Sequence, residues 1–453
     1  MPRVVSNIVA LSLLVAAPVA PQGAAPLNEA PAGPPAAAAA LASRPSAEWR
    51  ARLAEAIRRA TAQNPRVQEA EARLEAARRR VPQAAVLPDP EIELGLKDVP
   101  VRDPSLSRDD FTMEMLTGRQ RLPGRGKRSA QRAVAQAGVE GARAMRSREA
   151  VEIAADTADA FFQLAETDRS LAILKEARQR LEDAAASVTE RYKVGKAGQS
   201  DVFQANLEKT SLDEQLSTLR AERRAQAARF NALQGLPAGA PVEPIGPVDP
   251  GSEVPAVAEL VQQSAARSPA VAEAAAEVQR AEQELELARL EGRPDWMLMG
   301  YYGRRERFDD FIGVSAAIDL PWAHRRRLEE RRAEKEAELA AARAGIEAAR
   351  NQLQGEIEVA YAELEKNLEQ ARLYRDSILP QADINYRAAR EAYIVGKIDF
   401  LTLVRAATDL DQYQREAAAR AAGIGRALAA LQKASGLPLI PGTPGSGESN
   451  AEK

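Results

Sequence analysis

The chain of 453 residues contains no cysteine and a single histidine, His324. Without cysteine it has no disulfides, no thiolate metal site, no cysteine nucleophile and no thiol for an N-terminal lipid. One histidine leaves a His-based zinc site or a histidine acid–base enzyme without its parts. Aromatic residues are scarce at 4%, and the 62 basic and 65 acidic residues nearly cancel, for a formal net charge of −3. No field exists to gather nucleic acid. Past the N-terminus, no window supplies the roughly 18 uncharged apolar residues of a membrane-crossing helix. Any entry into a membrane would therefore be as a closed β-barrel.

What fills the chain instead is Ala, Glu, Arg, Leu and Gln in long stretches, with 28% charged residues. These side chains lose little freedom in a helix, so the bias belongs to long helices and coiled coils. Residues 1–20, with Arg3, an uncharged run over Val4–Ala20 and small residues at its end, read as a secretory signal. Residues 21–46 read as a flexible Pro/Ala-rich leader.

The rest reads as one unit written twice. Asn64-Pro65-Arg66-Val67 is echoed by Ser268-Pro269-Ala270-Val271, and Leu122-Pro123 by Leu320-Pro321. Tyr192-Lys193-Val194-Gly195-Lys196 returns as Tyr393-Ile394-Val395-Gly396-Lys397, and Gly235-Leu236-Pro237 as Gly436-Leu437-Pro438. The offsets are 204, 198, 201 and 201 residues, in unchanged order, which is the signature of tandem duplication. The expected units are repeat 1 over 47–240, a linker over 241–254, repeat 2 over 255–438 and a disordered tail over 439–453.

Each repeat has the same predicted layout. A helix (Ala47–Ala85 or Pro255–Glu291) breaks near Pro65 or Pro269. A β-hairpin follows, over 90–122 or 295–322. Its period-two alternation shows in Ile92, Leu94, Leu96 and in Phe111, Met113, Met115. Next comes a very long helix, Lys127–Tyr192 or Arg326–Tyr393, with Pro380 its only proline. A turn at Gly195–Gly198 or Gly396 reverses the chain into a return helix ending near Gln234 or Lys433. Helices this long must pack laterally on one another. Two hairpins supply four strands, which cannot close; three chains supply twelve, which can. Trp296, Tyr301, Tyr302 and Trp322 lie near strand ends, where interfacial aromatics sit.

Taken together, helix, hairpin, very long helix, Tyr-x-x-Gly turn and return helix, twice over, resemble the outer-membrane efflux protein (TolC) family across about residues 48–438. The words Leu87-Pro88-Asp89-Pro90 and Arg121-Leu122-Pro123-Gly124-Arg125-Gly126-Lys127-Arg128 look like its heavy-metal and copper branch, the CusC- and CzcC-like proteins. The resemblance implies a mainly α fold with a small β part: a homotrimeric twelve-stranded barrel in outer-membrane lipid, continued by a periplasmic α-helical barrel. It implies location in the outer membrane of a Gram-negative bacterium. It also implies docking to a periplasmic adaptor and an inner-membrane RND-type pump, with heavy-metal cations as cargo and no cofactor. Drugs or other small molecules through the same duct remain an alternative. A coiled-coil scaffold or periplasmic adaptor without a barrel is the alternative of a different class.

For sites, the resemblance makes Gly195, Lys196, Gly198, Asp201, Gly396, Lys397 and Asp399 the adaptor-docking tips, with Tyr393, Asp399, Thr402 and Arg405 as entrance candidates. Drug-efflux relatives carry acidic residues where this chain has Thr402 and Arg405, so Asp399 is the nearest substitute for an aspartate ring. Met113 with Met115 and Met297 with Met299 each share a strand face; they are expected to meet lipid, with no metal ligands assigned. Arg304, Arg305 and Arg307, and Arg119, Arg121, Arg125 and Arg128, read as solvated or lipid-phosphate clusters. Glu152, Asp156 and Asp159, and Glu356, Glu358 and Glu363, read as solvated or lumen-lining faces. No catalytic residues are expected, since no phosphate-loop, triad or metalloprotease spacing occurs.

Overall fold

The structure is a computed structural model that describes residues 48–102, 104–107, 109–251 and 255–440. The expected signal and leader lie outside the described residues, as do residues 441–453 of the expected tail. The first half runs α1 (Glu48–Gln63), α2 (Pro65–Ala84), β1 (Glu91–Lys97), β2 (Met113–Leu122), α3 (Lys127–Lys193) and α4 (Gln199–Leu233). The second runs α5 (Val257–Ser264), α6 (Pro269–Leu290), β3 (Trp296–Arg304), β4 (Phe311–Ile318), a 3₁₀ turn (Pro321–His324), α7 (Arg325–Leu373), α8 (Leu379–Ile394) and α9 (Phe400–Ser435). The element order of the first half is thus met again in the second.

Local chemistry sets the breaks. Asn64 stands between α1 and α2: its side chain accepts from the Arg66 N–H at 2.9 Å and donates to the Leu233 carbonyl at 2.8 Å. Pro65 then opens α2 at a position whose N–H has no partner to lose. Pro269 likewise opens α6, behind Ser268, whose side chain makes no capping bond. α3 has 67 residues, about 100 Å at 1.5 Å per residue. It stays ordered by packing along its length. Near the sheet, Val139 meets Leu74 and Ala77 of α2; towards the far end, Leu171 and Leu174 meet Leu216 of α4.

The main core lies mid-way along α3. Trp49, Leu53 and Ile57 of α1 pack on Phe161 and Phe162 of α3, with Phe230, Leu260, Ile357 and Leu431 from α4, α5, α7 and α9. Phe162 is edge-on to both Trp49 and Phe161, at centroid distances of 5.9 and 5.8 Å. The segment between the halves is pinned to this core. Buried Asp168 pairs with Arg223 and accepts from the Ile245 N–H at 2.8 Å. Arg52 donates to the carbonyls of Glu243 and Pro244. Packing also runs two residues past the expected end of repeat 2: the N–H groups of Leu439 and Ile440 bond the Gln432 side chain, and Ile440 is buried.

The second long helix departs from the expected continuous Arg326–Tyr393. A π turn over Tyr374–Ile378 separates α7 from α8. Pro380 causes it: the ring has no N–H to donate and crowds the preceding turn, and a wider turn relieves the clash. The first repeat has no such proline, and α3 runs unbroken.

Phe162 also fixes how near α9 can come. A Cβ on Gly425 would stand 2.5 Å from the Phe162 ring, so only glycine allows this approach. Gly425→Val should overpack the core by about 1–3 kcal/mol and lower the thermal midpoint followed by circular dichroism at 222 nm. An unchanged midpoint would mean that this contact does not set the α3–α9 distance.

Candidate functional site

The four strands form one antiparallel sheet in the order β1-β2-β3-β4. Its register is regular: Leu94 faces Leu116, Leu116 faces Tyr302, and Tyr302 faces Ile312. Even-numbered residues therefore share one face across all four strands. That face is mostly apolar and open: Ile92, Leu94, Ile312 and Val314 are 75–82% exposed, and Leu116, Trp296, Leu298 and Tyr302 are exposed beside them, with Glu114 and Arg304 paired at its loop end. The odd-numbered face carries Glu91, Glu93, Lys97, Arg119, Arg121 and Ser315.

This parity sorts the sequence candidates. Trp296 and Tyr302 sit on the apolar face. Tyr301 is on the other, level with Thr117 and Gly313, its ring lying over Gly313. The Trp322 side chain lies outside the described residues. The four methionines are not on the apolar face where lipid contact was expected. Each strand's alternation starts on the parity that puts Met113, Met115, Met297 and Met299 among the charges. Where strands meet helices, Lys127 Nζ and the Gly124 N–H both donate to Asp295 Oδ1 at 2.7 Å, joining the two hairpins. At the other end, Arg305 stacks on Phe311 at 4.0 Å and donates to the Asp110 carbonyl at 2.9 Å, joining the two loops. Arg304 pairs with Glu114, and Arg119 with Glu93.

The two helical tips are built alike. Gly195 and Gly396 have φ of +71° and +75°. The Lys196 and Lys397 N–H groups then reach back five residues, to the Arg191 and Ala392 carbonyls, each at 2.8 Å. This is a Schellman ending, and it needs glycine at the left-handed position. Gly198 and Asp399 start the return helices: Asp201 accepts from the Gly198 N–H at 3.2 Å, and Asp399 from the Thr402 N–H at 3.0 Å. That bond to Thr402, with Arg405 adding its charge, holds the Asp399 carboxyl below its ordinary value. Thr402 and Arg405 are exposed, while Tyr393 is buried with Phe400, Leu403 and Val188 beneath the tips. Around them Val194, Phe203, Leu207, Ile394 and Val395 remain open to solvent.

Three residues that sequence reasoning did not single out join the repeats here. Arg191 lies 4.7 Å over the Tyr393 ring and donates to the Tyr393 carbonyl at 3.1 Å. Its position beside Tyr192 was the only signal, since the second repeat has Ala392 there. Higher up, Arg180 of α3 pairs with buried Asp411 of α9. Burial pushes the Asp411 carboxyl up to about 6, against the opposing charges of Arg180 and Arg415. Of the long-helix carboxylates, Glu152 and Asp156 brace α3 to α9 by pairing with Lys433, at 3.2 and 3.1 Å, while Glu363 pairs with Lys366 one turn along the same helix. Among the described residues no group of three or more His, Cys, Asp or Glu could hold a metal ion, and no helix is long and apolar enough to cross a membrane.

An aspartate whose folded pKa is raised contributes stability fully below its ordinary value, and that contribution is lost as pH rises through about 6. An asparagine in its place would not titrate. The thermal midpoint of the native protein minus that of Asp411→Asn should therefore grow between pH 7.5 and pH 5. A difference flat with pH would place Asp411 in a solvated setting.

The comparisons with known proteins agree with this architecture. The outer membrane efflux protein family model matches residues 56–236 and 260–437, most of the chain in two blocks. Among solved structures, the outer membrane protein VceC of Vibrio cholerae is 21% identical with a TM-score of 0.71, covering 88% of this chain and all of its own. The CmeC outer membrane channel of Campylobacter jejuni is 14% identical with a TM-score of 0.70, covering 87% of this chain and 86% of its own. CusC, solved in a study of its folding and transmembrane channel formation, is 14% identical with a TM-score of 0.66, covering 84% and 91%. These likenesses are of fold. A search among curated proteins yields no significant match. With the family model spanning both repeats, the chain belongs to the outer membrane efflux protein family.

Proposed function

We propose that three copies of this chain form an exit duct in the outer membrane of a Gram-negative bacterium. The carrying observation is the sheet. β1 and β4 are open edges, and the even face exposes Ile92, Leu94, Ile312 and Val314 to whatever surrounds it. In hydrocarbon neither edge could stand unpaired. Placing β4 of one copy against β1 of the next keeps every neighbour antiparallel and closes at twelve strands, an even number as such barrels require. The apolar face then meets lipid, with Trp296 and Tyr302 on it, and the charged face lines the lumen.

The helices below form the periplasmic part, and the tips at Gly195–Asp201 and Gly396–Asp399 dock a periplasmic adaptor coupled to an RND-type pump. The exposed Val194, Phe203, Leu207, Ile394 and Val395 suit an apolar partner surface. Residues 1–20 serve as the export signal. Tyr393, Asp399, Thr402 and Arg405 stand at the entrance, where Arg191 grips Tyr393. Opening would move the second repeat's tip against the first, with the π turn before Pro380 as its hinge. The cargo proposed is heavy-metal cations, supported by the Leu-Pro-Asp-Pro word at Leu87–Pro90 and the Arg121–Arg128 word. The duct does no chemistry of its own.

Two measurements test this. In planar bilayers, Arg191→Ala should raise the mean conductance several-fold over the native protein by freeing Tyr393; equal conductance would remove Arg191 from the closed entrance. In a strain lacking its own channel, the chain with its cognate adaptor and pump should restore tolerance to copper, silver, zinc or cobalt salts. Restored tolerance to drugs alone would reject the metal cargo and leave the duct.

A further inference from the structure

Beneath the sheet the helices stand in the order of the strands they serve. α2 leads into β1, β2 into α3, α6 into β3 and β4 into α7. α2 packs on α3, α3 on α6 and α6 on α7, so α2 and α7 are the two ends of a row. Each end helix carries three consecutive arginines within two turns of its sheet-side terminus: Arg78, Arg79 and Arg80 on α2, and Arg325, Arg326 and Arg327 on α7. These are the only two Arg-Arg-Arg runs in the chain, and all six residues are exposed. Duplication does not explain them. By the offsets of 204 and 198 residues, their counterparts on the inner helices are Glu282-Gln283-Glu284 of α6 and Lys127-Arg128-Ser129 of α3.

Within the chain these arginines are lightly held. Arg78 and Arg79 share Glu75 one turn back, and Arg325 and Arg326 reach Glu329 and Glu330 only at 3.9 and 4.0 Å. Among the described residues Arg80 and Arg327 have no ion pair, and neither do Asp89 and Asp319 in the segments leading to β1 and from β4. Successive helical residues stand about 100° apart, so a run of three cannot face the lumen alone. Closing β4 of one copy on β1 of the next sets its α7 beside the neighbour's α2. Six arginines then collect at each seam, and like charges side by side oppose the closure unless an anion lies between them. Their level says which anion. Trp296 is exposed at the helix-side end of the apolar face, opposite Ile318, and an interfacial tryptophan sits at the depth of the headgroups. Arg325 follows Ile318 by two turns of chain, just beyond that depth. Clusters of arginine at a membrane surface draw anionic lipid, and the guanidinium fork grips two phosphate oxygens at once. We propose that each seam of the trimer binds the headgroup of an anionic phospholipid of the periplasmic leaflet, between Arg78–Arg80 of one copy and Arg325–Arg327 of the next. This rests on the reading of the sheet as part of a closed trimeric barrel and gives that closure a lipid requirement.

The test uses the full-length protein in detergent, stripped of copurified lipid and examined by native mass spectrometry with added phosphatidylglycerol, phosphatidylcholine or inorganic phosphate. The native trimer should retain phosphatidylglycerol at least tenfold more tightly than phosphatidylcholine. Arg78→Gln with Arg79→Gln and Arg80→Gln should weaken that retention at least tenfold, and so should Arg325→Gln with Arg326→Gln and Arg327→Gln; glutamine keeps the helix propensity of these positions. Phosphatidylglycerol should also raise the temperature at which the unboiled trimer band of the native protein dissociates, and inorganic phosphate should not. Equal retention of the two lipids, unchanged retention in either triple variant, or stabilisation by inorganic phosphate equal to that by the lipid overturns the proposal. The same gel separates the two failures: trimers without a preference for anionic lipid leave the duct standing without its seam lipid, whereas chains that never trimerise remove the duct and the seam together.

Discussion

A sheet face that no other described residue covers governs this molecule. Elsewhere the folding problem is solved locally: helices bury Trp49, Phe161 and Phe162 in one core, and ion pairs such as Asp168–Arg223 fasten the connecting segment to it. The sheet cannot be solved that way. Its four strands leave two edges and a wide face of Ile, Leu and Val in contact with solvent, a state that costs free energy in water and invites association. In the proposed duct, closure with further copies in a lipid bilayer would remove both costs together, with the helices continuing from one rim.

The two repeats are alike in order and unlike in detail, and the differences collect where movement would be needed. The first repeat has an unbroken α3; the second has Pro380 and a π turn. Both tips end in the same glycine-dependent turn, yet only the first supplies an arginine that reaches over to the other, Arg191 on Tyr393. Asp411 adds a buried charge between α3 and α9. An unbroken first repeat beside a jointed second one, sharing one core and joined near the tips by separable polar contacts, is a physical basis for the second tip moving while the core holds.

Much of the fold was legible because its signals are local. Prolines at 65, 269 and 380, glycines at 195 and 396, and alternation through Ile92, Leu94 and Leu96 each act on their own neighbours in sequence. Strand parity relative to the other hairpin was not legible. Which face Met113, Met115 and Tyr301 share depends on the pairing of β2 with β3, elements about 180 residues apart in the chain. The contacts of Arg191 and Arg180 were hidden for the same reason: an arginine on a highly charged helix looks like every other until its partner is known. The π turn was foreshadowed by Pro380 but not predicted, because a proline alone does not say whether a helix will kink, break or widen.

The proposed duct stands or falls with closure by three copies. The direct test is native mass spectrometry of the detergent-extracted outer-membrane fraction, paired with electrophoresis of boiled and unboiled samples. The account predicts a trimer whose mobility shifts on boiling, as a closed barrel resists detergent until heated. A monomer or dimer recovered from the soluble fraction, with no shift on boiling, would contradict it.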